Sequence, residues 1–152
     1  MIAVLQRVKE SSVQVNNKII NKIGKGLLIF IGVFEDDEEH DVDFLVKKIA
    51  GFRIFSDKND KMNLSVKDVN GQILVVSQFT LCAEWLKGKR PSFTKAATPN
   101  KAKFLYEYFT SELAKQNIEI KTGEFGAMMD VSLINDGPVT FVLDSKLKVF
   151  KK

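Results

Sequence analysis

Cysteine and histidine are each present once in this chain of 152 residues, as Cys82 and His40. One cysteine excludes an internal disulfide and any Cys-rich metal site built by a single chain, and it points to a reducing compartment. One histidine excludes more. His40 sits in Glu38-Glu39-His40-Asp41, where the exposed start of a helix is expected, so a Ser/His/Asp or Cys/His constellation would lack a well-placed base. A zinc site fails for the same shortage of ligands, and neither a phosphate-cradling Gly-rich loop nor a dinucleotide fingerprint is present. No metal and no cofactor are expected. Long apolar runs are missing as well: none reaches the roughly 18 to 20 residues of a membrane span, and the apolar stretch near Met1 is too short for a signal peptide. A cytoplasmic protein without membrane association is the expectation.

The chain is 45% apolar and 28% charged, an ordinary composition for a soluble, ordered protein. A chain of this length buries roughly 68 to 70% of its unfolded surface, enough for one core, and no repeat, low-complexity tract or linker interrupts it. One domain over residues 1–152 is expected. The net charge of +4 fits an anionic partner such as nucleic acid. Basic residues gather in Lys87-Gly88-Lys89-Arg90 and among Lys146, Lys148, Lys151 and Lys152, while Glu35 to Asp43 is acidic. Taken without context, each cluster reads as a solvated face.

Strands are expected over Ile2 to Val8, Ser12 to Val15, Gly26 to Val33, Arg53 to Phe55, Gln72 to Gln78, Ile118 to Thr122, Met128 to Ile134 and Thr140 to Leu143. Asn16-Asn17 reads as a hairpin turn. One helix should start near Asp36 to Glu39 and bury Val42, Leu45, Val46 and Ile49. A second should follow Thr98 as cap and Pro99 at the first helical position, burying Ala102, Leu105, Tyr106, Phe109 and Leu113. Leu27 to Ile31 and Ile73 to Val76 are apolar on successive residues, which implies strands covered on both faces. The fold class is mixed αβ: a compact three-layer arrangement of strand-rich sheets with two main helices.

Two segments stand out chemically. Ser77-Gln78-Phe79-Thr80-Leu81 follows an apolar strand and places two hydroxyls and an amide at its end, a common location for a site, although turn chemistry would explain it too. Asn135-Asp136-Gly137-Pro138-Val139-Thr140 lies between two expected strands, and its generic reading is a turn in which Gly137 permits close backbone approach.

Together these segments resemble the two hallmark motifs of the D-aminoacyl-tRNA deacylases, written SQFTL and GPVT. The resemblance extends over nearly the whole chain: Val4 to Val8, Phe52 to Phe55, Lys61 to Asn63, Lys87-Gly88 with Arg90 to Phe93, and Gly123 through Phe125 to Met129. Asp60 departs from it, standing where relatives often carry glycine, and Glu84-Trp85 falls at a variable position.

The resemblance implies a homodimer with its active site at the subunit interface, where a Gly-cis-Pro element of one chain completes the site of the other. Gly137 and Pro138 would be that element, their carbonyls accepting hydrogen bonds from the substrate's α-ammonium group and excluding an L side chain sterically, with Arg7 holding the carbonyls in orientation. The substrate would be a D-aminoacyl-tRNA, and glycyl-tRNA would escape the filter. Ser77, Gln78, Phe79 and Thr80 would form the catalytic segment. Thr80 could act as nucleophile, or water could attack with help from the substrate's ribose hydroxyl and backbone N–H groups near Phe79 and Thr80. The second is favoured, because no side-chain base is evident. Gln78, Phe79 and Met129 would shape an adenosine pocket, and Lys87, Lys89 and Arg90 would contact phosphates. Cys82 reads as a small buried neighbour of the first motif. The alternatives are a related deacylase with a trans Gly-Pro bond acting on small L-aminoacyl-tRNAs, which Arg7 argues against, and a catalytically silent tRNA-binding module, which the intact motifs argue against. A generic esterase would need a base that the chain lacks.

Overall fold

Asn16 and Asn17 reverse the chain with φ of 49° and 61°, the left-handed pair that matches the twist of a two-residue hairpin. The computed structural model describes residues 1–147. Before the turn runs β1 (Ile2–Val15); after it the chain returns along one edge of β1, first as β2 (Lys18–Ile23) and then as β3 (Gly26–Gly32). The other edge of β1 is taken by β8 (Asp130–Asp144) over almost its full length. Parallel to β3 lies β6 (Gln72–Ser77), and parallel to β6 lies β7 (Glu119–Thr122). At the start of β3 the backbones of Gly26 and Gln72 crowd together: a Cβ on Gly26 would stand 1.8 Å from the Gln72 carbonyl oxygen. Asn21 Nδ2 donates to the Thr122 carbonyl at 2.6 Å and Lys121 Nζ to the Lys22 carbonyl at 2.9 Å, so β2 leans onto β7 and the sheet is nearly closed.

Parallel neighbours need crossovers, and these carry the helices. Between β3 and β6 come α1 (Glu39–Ala50) and a small hairpin of β4 (Phe55–Ser56) and β5 (Met62–Leu64); between β6 and β7 comes α2 (Pro99–Ala114). Alternation along the central strands splits the interior in two. Leu27, Ile29, Ile31, Ile73 and Val75 face the helices, meeting Leu45, Ile49, Leu105 and Phe109 in the main core. Leu28, Leu74 and Val76 face the other way and join Val8, Val13 and Ile23 in a second core inside the curl of the sheet. Helices, sheet and curled-back strands form the layered mixed αβ arrangement that the doubly apolar strands imply.

Both helices bury the expected stripes: Val42, Leu45, Val46 and Ile49 on α1, and Leu105, Tyr106, Phe109 and Leu113 on α2, with Ala102 half-buried. Thr98 is the N-cap of α2 without a side-chain cap bond; its carbonyl accepts from the Ala102 N–H at 2.9 Å. The strands differ in several places. The two expected strands Ile2 to Val8 and Ser12 to Val15 are one, as are Met128 to Ile134 and Thr140 to Leu143, so Asn135 to Thr140 is part of a strand and not a turn between two. β2 and β5 were not anticipated, and Arg53 and Ile54 precede β4. The acidic block is not simply solvated. Asp37 and Asp41 are fully buried, with the Met1 ammonium on Asp37 and Lys146 Nζ 3.0 Å from Asp41. Lys148, Lys151 and Lys152 lie outside the described residues.

Candidate active site

Ser77 ends β6 opposite Ile31, and the Gln78 N–H still reaches the Ile31 carbonyl at 2.7 Å. The chain then tightens into a 3-10 turn over Phe79–Cys82. The Phe79 and Thr80 N–H groups open that turn, where a helix has no internal acceptors, and no backbone hydrogen bond between described residues uses them. Gln78 Nε2 donates to Thr80 Oγ1 at 2.6 Å. Among the described residues no side-chain base accompanies them: His40 stands 3.3 Å from Glu38 and 3.5 Å from Asp41 at the start of α1.

Beside this turn opens a cavity of about 540 Å³, within the range of small-molecule sites. Ser77, Gln78, Phe79 and Met129 line it together with Ile31, Val76, Ala97, Tyr106, Phe125 and Met128. Its walls are mostly apolar, and the Tyr106 hydroxyl is spent on the Val75 carbonyl at 2.8 Å. Burial pushes the Tyr106 phenol well above its ordinary pKa. Burial, followed by the charge of Asp37, raises the Cys82 thiol to about 11, so neither group is a nucleophile at neutral pH.

The second motif lies elsewhere. On β8 the register passes from Asn135, opposite Val8, to Thr140, opposite Gln6, so Arg7 alone faces the bulged segment Asp136 to Val139. The Gly137–Pro138 peptide bond in that bulge is cis, and both residues are exposed. Asn135 bridges the segment: its Oδ1 accepts from the Val139 N–H at 2.7 Å and its Nδ2 donates to the Val139 carbonyl at 3.1 Å. Buried Arg7 donates from Nε to the Asp136 carbonyl at 2.8 Å and from Nη1 to the Ile54 carbonyl at 2.7 Å. Within the chain it therefore holds the carbonyl just before Gly137, not those of Gly137 and Pro138 themselves.

The structure thus brings Ser77, Gln78, Phe79 and Met129 to one cavity, with Thr80 at its side. Among the described residues its lining includes neither Gly137 nor Pro138. Lys87, Lys89 and Arg90 stand on an exposed loop beyond the turn, also outside the cavity. Tyr106 and Phe125 escaped the sequence reading as wall residues. Tyr106 gave only the signal of a helical core stripe, and Phe125 none beyond its place in the family-like stretch. Asn135 was visible as part of the motif, but its bridging role was not.

Comparison with known proteins gives this geometry a family. The profile described as D-Tyr-tRNA(Tyr) deacylase matches residues 4–144. A D-aminoacyl-tRNA deacylase of Thermosipho melanesiensis is 56% identical over 99% of this chain and 100% of its own length. One from Pseudoalteromonas translucida is 54% identical over 94% and 99%. Among solved structures, a c-Myc DNA unwinding element binding protein superposes with a TM-score of 0.90 at 40% identity, covering 97% of this chain and all of that one. A probable eukaryotic D-amino acid tRNA deacylase, 16% identical, shares the fold with a TM-score of 0.82, covering 93% and 97%. With both motifs intact, and with matches that run from end to end of its relatives, the chain belongs to the D-Tyr-tRNA(Tyr) deacylase family.

Proposed function

We infer that this protein hydrolyses the ester bond of D-aminoacyl-tRNA, releasing the free D-amino acid and tRNA. The observation that carries this reading is a strand-end turn with two uncommitted N–H groups beside an apolar cavity and no side-chain base. An aminoacyl ester is already labile, so orientation and stabilisation of the developing oxyanion suffice for its hydrolysis.

In this reading the terminal adenosine of the tRNA enters the cavity, its base packing on Phe79 and Met129. The ester carbonyl is drawn to the N–H groups of Phe79 and Thr80, and water attacks with help from the neighbouring ribose hydroxyl. Thr80 holds Gln78 in place and is not the nucleophile, while Ser77 sets the end of the strand. The exposed Gly137 and Pro138 carbonyls of a second copy of the chain accept the α-ammonium group. That copy is needed because the two motifs of one chain do not meet. With the ammonium and carbonyl both fixed, an L side chain is driven into backbone and a D side chain points to open space, so selectivity is rejection by shape. Lys87, Lys89 and Arg90 contact phosphates. No helix among the described residues is long and apolar enough to cross a membrane, and the proposed place of action is the cytoplasm.

The test is loss of the ester from D-tyrosyl-tRNA and, separately, L-tyrosyl-tRNA, against a control without enzyme. D-selective release is expected. Retention of both esters with tRNA still bound would indicate a silent binding module, and equal loss of both would remove the shape filter.

A further inference from the structure

The loop from Glu84 to Ser92 leaves the turn that carries Phe79 and Thr80 and comes back to it. Its ends are joined firmly. Glu84 and Ser92 exchange both backbone hydrogen bonds, at 2.8 and 2.9 Å, Lys95 Nζ pairs with Glu84 at 2.6 Å, and the Phe93 ring packs on Phe79 with centroids 4.9 Å apart. Between those ends the loop is bare. Trp85 is 72% exposed and Leu86 85%. Isolated exposed apolar side chains need no explanation, but an indole and a leucine side by side, followed at once by cations, form a surface with two chemistries. Lys87, Lys89 and Arg90 are exposed, and among the described residues none of them has a carboxylate within salt-bridge distance.

We propose that this loop is a clasp for the single-stranded 3′ end of the substrate RNA: the Trp85 indole stacks on an unpaired base, and Lys87, Lys89 and Arg90 hold the flanking phosphates. The proposal rests on the substrate being an aminoacyl-tRNA and adds the surface that grips it. An indole accepts any base, because every base offers a flat π-face, and the cations track the backbone; this pairing of stacking with charge is how proteins hold single strands without reading sequence. The position of the loop favours RNA over a lipid surface. Its base is bolted through Phe93 to a wall of the cavity that takes the terminal nucleoside, so a nucleotide on Trp85 continues the strand that enters the cavity.

Trp85 is the only tryptophan, so emission excited beyond the absorption band of the two tyrosines reports this loop alone. The full-length protein is titrated with an uncharged acceptor-stem minihelix carrying a single-stranded 3′ tail, then with the same duplex made blunt. Quenching by the tailed form and not by the blunt one is expected. Trp85→Ala should raise KM for D-aminoacyl-tRNA about 5- to 150-fold, the usual range for loss of one stacked base. Its kcat should stay near that of the wild type, and Trp85→Phe should recover much of the loss. Emission unmoved by the tailed minihelix, or an unchanged KM in Trp85→Ala, overturns the clasp. So does emission that responds to vesicles of anionic phospholipid and not to RNA. If the wild type releases no D-amino acid at all, the substrate reading fails, while the tailed minihelix still decides the clasp.

Discussion

Arg7 donates from Nε to the Asp136 carbonyl across 2.8 Å, from the one position of β1 that faces the bulge in β8. Its Nη1 reaches the Ile54 carbonyl at 2.7 Å, so one guanidinium joins the Gly137–Pro138 segment to the loop before β4. Arg7→Ala leaves both carbonyls without that donor. The expected cost is about 2 to 4 kcal/mol in urea unfolding, with a fall in the ratio of D- to L-ester hydrolysis. Arg7→Lys keeps the charge but cannot serve two divergent acceptors, and should recover stability only in part. An unchanged D/L ratio in Arg7→Ala would separate the arginine from selectivity.

Gly137 is the second place where the proposed shape filter can be challenged. A Cβ there would lie 2.4 Å from the Val139 nitrogen and 2.6 Å from its Cγ2, so Gly137→Ala must displace the segment. The expected outcome is loss of deacylation together with a lowered midpoint of thermal unfolding, since the nearest atom displaced is backbone. Glycyl-tRNA, which has no side chain to reject, should be hydrolysed by the wild type. Rejection of glycine as strong as that of L-amino acids would remove the shape argument.

Thr80 receives a hydrogen bond from Gln78, and among the described residues no side-chain base is bonded to it. Thr80→Ala should therefore keep its single-turnover rate within about tenfold of the wild type, a barrier change of about 1.4 kcal/mol or less. A rate at background with tRNA binding intact would make Thr80 the nucleophile.

Asp41 gives the protein an acid sensitivity far from the site. Burial alone would raise its pKa, but the Glu38 N–H, Ser145, Lys146 and the Met1 ammonium outweigh that and hold it at about 2, against an ordinary 3.8. A carboxylate with a depressed folded-state value stabilises above its unfolded pKa and loses that contribution as pH falls toward the folded value. Stability should thus drop between about pH 4 and pH 2 by roughly 2 kcal/mol from this group. Urea unfolding across that range should show the drop in the wild type and a shallower one in Asp41→Asn. Equal slopes would discount Asp41.

Asp60, where relatives often carry glycine, has φ of 58° in the turn between β4 and β5. Asp60→Gly should change stability by less than about 0.5 kcal/mol, whereas Asp60→Val, whose branched side chain resists that backbone, should lose about 1 to 2 kcal/mol. A harmless valine would show that the turn relaxes to another conformation.

The helices and central strands were legible because their apolar residues recur with the period of the element and meet partners accordingly. β2 was not: it exposes Ile19 and Ile20 together and is defined by pairing to β1, which no local pattern announces. The continuity of β8 was hidden by Gly137 and Pro138, residues that locally argue for a turn but here occupy a bulge held by Arg7 and Asn135. The acids Asp37 and Asp41 looked like a solvated run because their cations, the Met1 ammonium and Lys146, come from distant parts of the chain. At the site, the two motifs stood out through their resemblance to a known family, since their residue types alone read equally well as turns. The apolar walls from Tyr106 and Phe125 were not, since core and pocket share one vocabulary until the chain folds.

Burial of Cys82 behind the turn has a bearing on chemical wear. Burial raises its thiol to about 11, so little of the reactive thiolate forms at neutral pH. The sulfur that oxidants meet at the mouth of the cavity is instead the thioether of Met128, 92% exposed. Damage there takes the form of a sulfoxide, which cellular reductases reverse, so oxidative injury to this surface is repairable.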